Sequence, residues 1–170
     1  MLTEITEITE INEHLIRKFT VEDRELVVEF FKQMGGESRG FFNRNDGNKN
    51  NALSFFDKNG DEPNAVRFLS SVRDENGREI MTGYVFAWDM NTYVPVLGIA
   101  VREEYKGRNL GRLLIRHLID YLKDNNYGGV SLTTSVANIR GQSLYSRMGF
   151  QHIGTHVNGE FLYLLRFDKI

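Results

Sequence analysis

The stretch Asn138-Ile-Arg-Gly-Gln-Ser-Leu-Tyr-Ser-Arg-Met-Gly-Phe150 decides how this chain is read. Asn138 and Tyr145 are seven residues apart, two turns of an α-helix, so on a helix they share one face. Each also has a plain structural role: Asn138 caps a helix, Tyr145 fills a core, and Gly149 supplies a left-handed C-cap. Upstream, Tyr105-Lys-Gly-Arg-Asn-Leu-Gly-Arg112 joins an apolar run to an amphipathic helix. The first amides of such a helix lack carbonyl partners and carry partial positive charge, which makes the turn a seat for an anion. Gly107 and Gly111 allow close backbone approach, while Lys106, Arg108 and Arg112 add charge at the rim. A tight strand-to-helix turn with solvated basic residues would carry the same pattern. Together, the two blocks point to a coenzyme site.

Working outward, residues 14–19 read as an extended run, and Thr20 with Asp23 opens a helix marked by Leu26, Val27, Phe30, Phe31 and Met34. Gly35-Gly36 stops it. Residues 37–63, rich in Asn, Gly and Asp, read as a lid of loop and short helix, held down by Phe41, Phe42, Phe55 and Phe56. Residues 65–73 and 79–90 are expected to form a hairpin around Asn76-Gly77. Residues 94–101 are apolar at nearly every position and so form a central strand, in which Pro95 and Gly98 predict a bulge or a splayed edge. Residues 109–123 form a helix packed on the sheet, 130–135 a strand, 138–148 a helix, and 150–157 and 161–167 a final hairpin. Strand, helix, strand, helix through residues 94–157 implies a right-handed crossover between neighbouring parallel strands, with antiparallel pairs elsewhere.

A chain of 170 residues with a net charge of -2 fits one α/β (α+β) domain without the basic footprint of a nucleic-acid binder. No window approaches the apolar length of a membrane span, and no signal-peptide pattern is present, so a soluble cytoplasmic protein is expected. The absence of cysteine excludes disulfides, thiolate metal sites and an acyl-cysteine intermediate. The triple Thr-Glu-Ile from Thr3 to Ile11 matches neither helical nor strand period. Residues 1–12 are therefore read as a flexible extension, frayed or partly helical, and residues 13–170 as the domain.

The turn resembles the pyrophosphate loop of the GNAT acetyltransferase superfamily, Gln/Arg-x-x-Gly-x-Gly/Ala, with Lys106, Asn109 and Gly111 in its three places. Lys for Arg keeps the charge, and Asn tolerates a positive φ while also suiting an N-cap. The later block is similar to that superfamily's Asn-x-x-Ala-x-x-Leu-Tyr-x-x-x-Gly-Phe, with Gly141 in place of alanine; that leaves room for a pantetheine arm. The resemblance covers residues 80–165. It implies a mixed, mostly antiparallel sheet of six to seven strands flanked by about four helices, with splayed central strands.

It further implies acetyl transfer from acetyl-CoA to a primary amine, by direct attack in a ternary complex. The acceptor is read as a small metabolite, with a protein N-terminus or lysine second and a non-catalytic acyl-CoA sensor as the rival class. The coenzyme would lie against Ile99, Ala100, Val101, Lys106, Gly107, Arg108, Asn109, Leu110, Gly111, Arg112, Asn138, Gly141 and Tyr145. Amides near Ile99 and Val101 would receive the carbonyl oxygen, and the Tyr145 hydroxyl would meet the leaving thiolate. Candidates for a base are Asp89, Tyr93, Glu103 and His156. No metal site is expected: His152 and His156 would be about 13 Å apart on a strand, and the Asp46 and Asp57 clusters lack the Gly and Glu of a calcium loop. No nucleic-acid or membrane partner is expected; a homodimer is compatible.

Overall fold

The computed structural model describes residues 14–34, 52–107 and 109–168, and the backbone of 9–11. Eight strands form one sheet: β1 (Thr9–Ile11), β2 (His14–Lys18), β3 (Ala65–Arg73), β4 (Glu79–Trp88), β5 (Val96–Val101), β6 (Gly129–Thr134), β7 (Gln151–Thr155) and β8 (Phe161–Arg166). Their spatial order is β1-β2-β3-β4-β5-β6-β8-β7. All neighbours are antiparallel except β5 and β6. The helices are α1 (Arg24–Lys32), α2 (Leu53–Asp57), α3 (Leu110–Asp124) and α4 (Ile139–Arg147). The strand beyond the six or seven expected is β1. It places Thr9–Ile11 in an extended conformation beside β2, where a frayed or partly helical segment was anticipated.

Period-two alternation divides the core between the two faces of the sheet. On one face Phe68, Val85, Leu97, Val130, Leu132 and Tyr163 pack beneath α3 and α4. On the other, Leu69, Met81, Tyr84, Phe86 and Ala100 pack beneath α1 and α2. Helix α3 turns Leu110, Leu114, Ile115, Leu118, Ile119 and Leu122 inward, and each such side chain contributes about 2 kcal/mol by leaving water. Phe55 and Phe56 anchor α2 by packing around Phe19, with ring centroids 5.6 Å and 6.0 Å away. Phe41, Phe42 and most of the expected lid lie outside the described residues.

The hairpin at Asn76-Gly77 forms as expected: Gly77 takes φ 75° and the Asp74 amide donates to the Arg78 carbonyl at 2.9 Å. No bulge occurs in β5, whose register against β4 runs unbroken from Gly83↔Val101 to Trp88↔Val96. The irregularities fall between Ser70 and Ser71 and between His152 and Gly154. Gly98 has a packing reason instead. A Cβ there would stand 2.3 Å from the Phe86 ring, which lies over the glycine from the paired position on β4. Among the described residues, no helix is long and apolar enough to cross a membrane.

Candidate active site

The expected splay lies between β5 and β6. Their ladder consists of the single register pair Val96↔Ser131, with the Ser131 amide donating to the Pro95 carbonyl at 3.0 Å. Beyond it the two strands share no further pair. The Arg102 amide donates to Thr82 on the β4 side at 3.0 Å, so by alternation the amides of Ala100 and Gly98 also face β4. Those of Ile99 and Val101 therefore face the gap. The result is a short open strand edge inside a sheet, bordering a cavity of about 420 Å³.

The turn after β5 forms the next wall. Gly107 has φ 81° and Asn109 has φ 63°, so both residues occupy the left-handed region where glycine and asparagine are least strained. Asn109 is the residue before α3, but its side chain makes no capping hydrogen bond; its carbonyl accepts from Leu113 at 3.1 Å. The amides of Leu110, Gly111 and Arg112 thus open the helix without carbonyl partners of its own, and all three residues line the cavity. Lys106 also lines it, with its Nζ 2.8 Å from Glu103 Oε1. That lysine holds the Glu103 carboxyl below the usual range, with a smaller effect from Arg140. Arg108 lies outside the described residues.

Helix α4 supplies the third wall, in a different phase from the one anticipated. Asn138 sits at the N-cap with φ -84° and ψ 68°, outside helical geometry. Its Oδ1 accepts from the Gly141 amide at 3.1 Å and its Nδ2 donates to Thr134 Oγ1 at 2.9 Å. Asn138 thus reaches the cavity from the end of the helix, whereas Tyr145, two turns on, is absent from the lining. The wall is the stripe Arg140, Gly141, Leu144 and Arg147, with Asn138 at its end.

Tyr145, expected on the wall, instead belongs to the core. It is 7% exposed, with its ring 6.0 Å from those of Phe150 and Tyr163. Its hydroxyl has no hydrogen bond among the described residues, and burial pushes its pKa up to about 12. Nor does Gly141 leave room for a pantetheine arm in the way expected. The place of its missing Cβ is taken by the Asn138 amide, whose nitrogen would be 2.4 Å away.

The remaining expected contacts, Ile99, Ala100, Val101, Gly107 and Asn109, all line the cavity. Sequence reasoning missed Met34, Tyr105, Arg140, Leu144 and Arg147. The i, i+4, i+7 spacing of Arg140, Leu144 and Arg147 was the available signal, usable once the helix starts at Ile139. Asp89, Tyr93, Glu103 and His156 are absent from the lining. Tyr93 packs at the far end of β5, where a Cβ on Gly128 would meet its ring at 1.9 Å.

Residues 39–150, which carry all of this lining except Met34, match one family model, the Acetyltransferase (GNAT) family. The chain belongs to this family. A candidate (ribosomal protein bS18)-alanine N-acetyltransferase of Bacillus subtilis is 31% identical over 78 residues, covering 46% of this chain and 52% of its own. The N-acetylaspartate synthetase of Mus musculus is 28% identical over 93 residues, covering 55% of this chain and 30% of its own. This GNAT chain thus spans about half, or less, of the length of these relatives. Among solved structures, the GNAT domain of S. lividans PAT superposes with a TM-score of 0.74 at 14% identity, over 91% of this chain and 90% of that one. The PaiA N-acetyltransferase of Thermoplasma acidophilum, solved with coenzyme A, gives 0.68 at 15% identity over 91% and 99%. At these identities the superpositions show a shared fold.

Proposed function

We propose that the chain transfers an acetyl group from acetyl-CoA to a primary amine, by direct attack while both substrates are bound. The observation that carries this reading is the cavity itself. The unpaired amides of Ile99 and Val101 border it on one side, and the partner-free amides of Leu110–Arg112 on another, with Lys106, Arg112, Arg140 and Arg147 as its charged groups. A diphosphate fits the helix start, and a neutral pantetheine chain fits the apolar stretch past Leu144 toward the strand edge.

When bound, the coenzyme supplies a thioester open to attack by an amine. The Ile99 and Val101 amides donate to an oxygen on which negative charge gathers, and because they belong to a fixed strand they need no reorganisation. Tyr145 is the proposed donor to the departing sulfur; because its ring packs in the core next to the wall residue Leu144, the donation requires that wall to open when the thioester binds. Burial keeps its proton on across neutral pH, and its hydroxyl has no bond within the described protein to give up. No carboxylate lines the cavity among the described residues; the proton lost by the attacking amine leaves through water, and Tyr145 regains from water the one it gives to sulfur, so that amide, thiol and neutral phenol remain. With no cysteine in the chain, direct attack needs no acyl-enzyme. The same lack fits a reducing cytoplasm.

The acceptor is read as a small metabolite amine. A protein N-terminus is the second reading, favoured by the name of the Bacillus relative. Thiol release from acetyl-CoA across a panel of amino sugars, polyamines, amino acids and Ala-initiated peptides tests both. Turnover with at least one amine, reduced about a hundredfold or more in Tyr145→Phe, is expected. Coenzyme binding without thiol release for any amine would establish the sensor reading instead.

A further inference from the structure

Behind the cavity wall, on the face of the sheet under α3, three polar side chains are buried where apolar ones would leave nothing to satisfy. His14 is 9% exposed, and Ser70 and Thr82 are fully buried. The Thr82 hydroxyl stands between the other two, hydrogen-bonded to His14 Nδ1 at 3.0 Å and to Ser70 Oγ at 2.9 Å. Helix α3 closes the cluster from above: a Cβ on the neighbouring Gly83 would stand 2.6 Å from Leu114 Cδ1 and 2.7 Å from Ser70 Oγ. Thr82 is the residue that β3 skips. The register passes from Ser70↔Gly83 to Ser71↔Met81 and leaves Thr82 without a partner on that strand. Its side chain, held from two sides, therefore fixes a backbone that the ladder does not.

That backbone carries the root of the turn after β5. The Thr82 carbonyl accepts from the Arg102 amide at 3.0 Å, one residue past the last β4–β5 pair, Gly83↔Val101. From there the chain turns at once, the Arg102 carbonyl accepting from Tyr105 at 2.9 Å and the Glu103 carbonyl from Lys106 at 3.2 Å. Tyr105 and Lys106 both line the cavity. The His14 ring also meets the Tyr105 ring edge-on, with centroids 5.5 Å apart and planes at 86°. One imidazole on β2 thus reaches both the root of the turn and a residue of the cavity wall.

Resting on the coenzyme reading above, we propose that His14 is a positioning residue for the coenzyme turn. Through Thr82 it fixes the carbonyl from which the turn hangs, and through its ring it fixes Tyr105 in the wall. It touches neither substrate. Its loss therefore loosens the grip on the coenzyme and leaves the chemical step, set by the β5 amides, as it was.

Calorimetric titration of the full chain with coenzyme A, alongside steady-state kinetics of thiol release, tests the proposal. His14→Ala should weaken coenzyme A about tenfold, the scale of one buried hydrogen bond, and raise the acetyl-CoA KM to match. The kcat at saturating acetyl-CoA and the KM of the amine should stay within about twofold. His14→Asn keeps a hydrogen-bonding group near the place of Nδ1 and should recover part of the affinity; His14→Phe keeps a ring against Tyr105 and should recover another part. Thr82→Val breaks the same bond from its other end, so its loss should not add to that of His14→Phe. A His14→Ala variant that melts lower yet binds coenzyme A as the wild type does overturns the assignment, as does one that loses kcat at unchanged affinity. Should His14→Ala not fold, Thr82→Val, which keeps the shape of its side chain, decides: weaker coenzyme binding supports the role and unchanged binding refutes it. If the wild type itself binds no coenzyme A, the coenzyme reading fails first and this proposal with it.

Discussion

At the scale of the residue, two positions show how backbone and side chain share the making of the cavity. Asn109 holds a left-handed conformation at φ 63° with no capping bond from its side chain, so its value there is tolerance of that φ. Asn109→Gly should therefore leave thermal stability and coenzyme affinity nearly unchanged. Asn109→Val should cost about 1–2 kcal/mol in denaturant unfolding, because a β-branched Cβ collides with the following carbonyl. Gly98 is fixed from outside, by a Phe86 ring stacked against Tyr84 and Trp88 at centroid distances of 4.5 Å and 5.3 Å. Gly98→Ala should destabilise by about 2 kcal/mol through overpacking. If the ring is the cause, Phe86→Leu should recover much of that loss in a double-mutant cycle; purely additive costs would show that the ring is not responsible. The tolerance of a positive φ at Asn109 was legible in the sequence, although its side-chain cap does not form; the ring over Gly98 was not, since that glycine read as a bulge or a splayed edge.

At the scale of the element, β5 has two unlike edges. Its β4 side is paired along its whole length, while its β6 side is paired only at its start. Amide exchange followed by NMR should show Ala100 protected and Ile99 and Val101 exchanging faster. Addition of acetyl-CoA should slow Ile99 or Val101 selectively. Uniform protection along β5 in the free protein would mean that the gap closes in solution. The strands, helices and turns behind this arrangement were readable from periodicity and turn residues; the 65–73 strand was placed to the residue. The phase of α4 was not. Which stripe of α4 meets the cavity and which the core is set by how the helix packs on the sheet, and a count of seven residues carries no record of that packing.

At the scale of the whole molecule, buried ionisable groups set the pH limits of the fold. Beneath α1 and α2, Arg67 donates to both carboxylate oxygens of Glu62, at 2.7 Å and 3.0 Å, and to the Tyr84 hydroxyl. Burial pushes Tyr84 and Tyr145 up to about 12. Each is raised above its unfolded value of about 10, so the stability linked to its neutral form is complete below pH 10 and is lost as pH rises through about 12. Circular dichroism melts from pH 9 to 12 should show that decline, and Tyr145→Phe should shallow it. A variant that declines as steeply as the wild type would place the alkaline limit elsewhere. On the acid side, burial raises Glu62 and Asp23, but hydrogen bonds from Arg67 to one and from Arg17 to the other outweigh it, leaving both below the ordinary carboxylate range. Their contribution is present above the unfolded carboxylate values and lost as pH falls through the depressed ones.

By itself the sequence determined the local vocabulary: which segments are strand or helix, where the left-handed turn residues fall, and that a glycine-bearing basic turn opens one helix while a later capped helix ends at Gly-Phe. These follow from period, propensity and cap chemistry, which act over a few residues. Only the tertiary structure decided that β5 and β6 part after one pair, that Tyr145 sits in the core while Leu144 meets the cavity, and that Arg140 and Arg147 face into it. Each of those depends on how distant segments pack against one another, and packing between segments far apart in the chain leaves no periodic trace within either one.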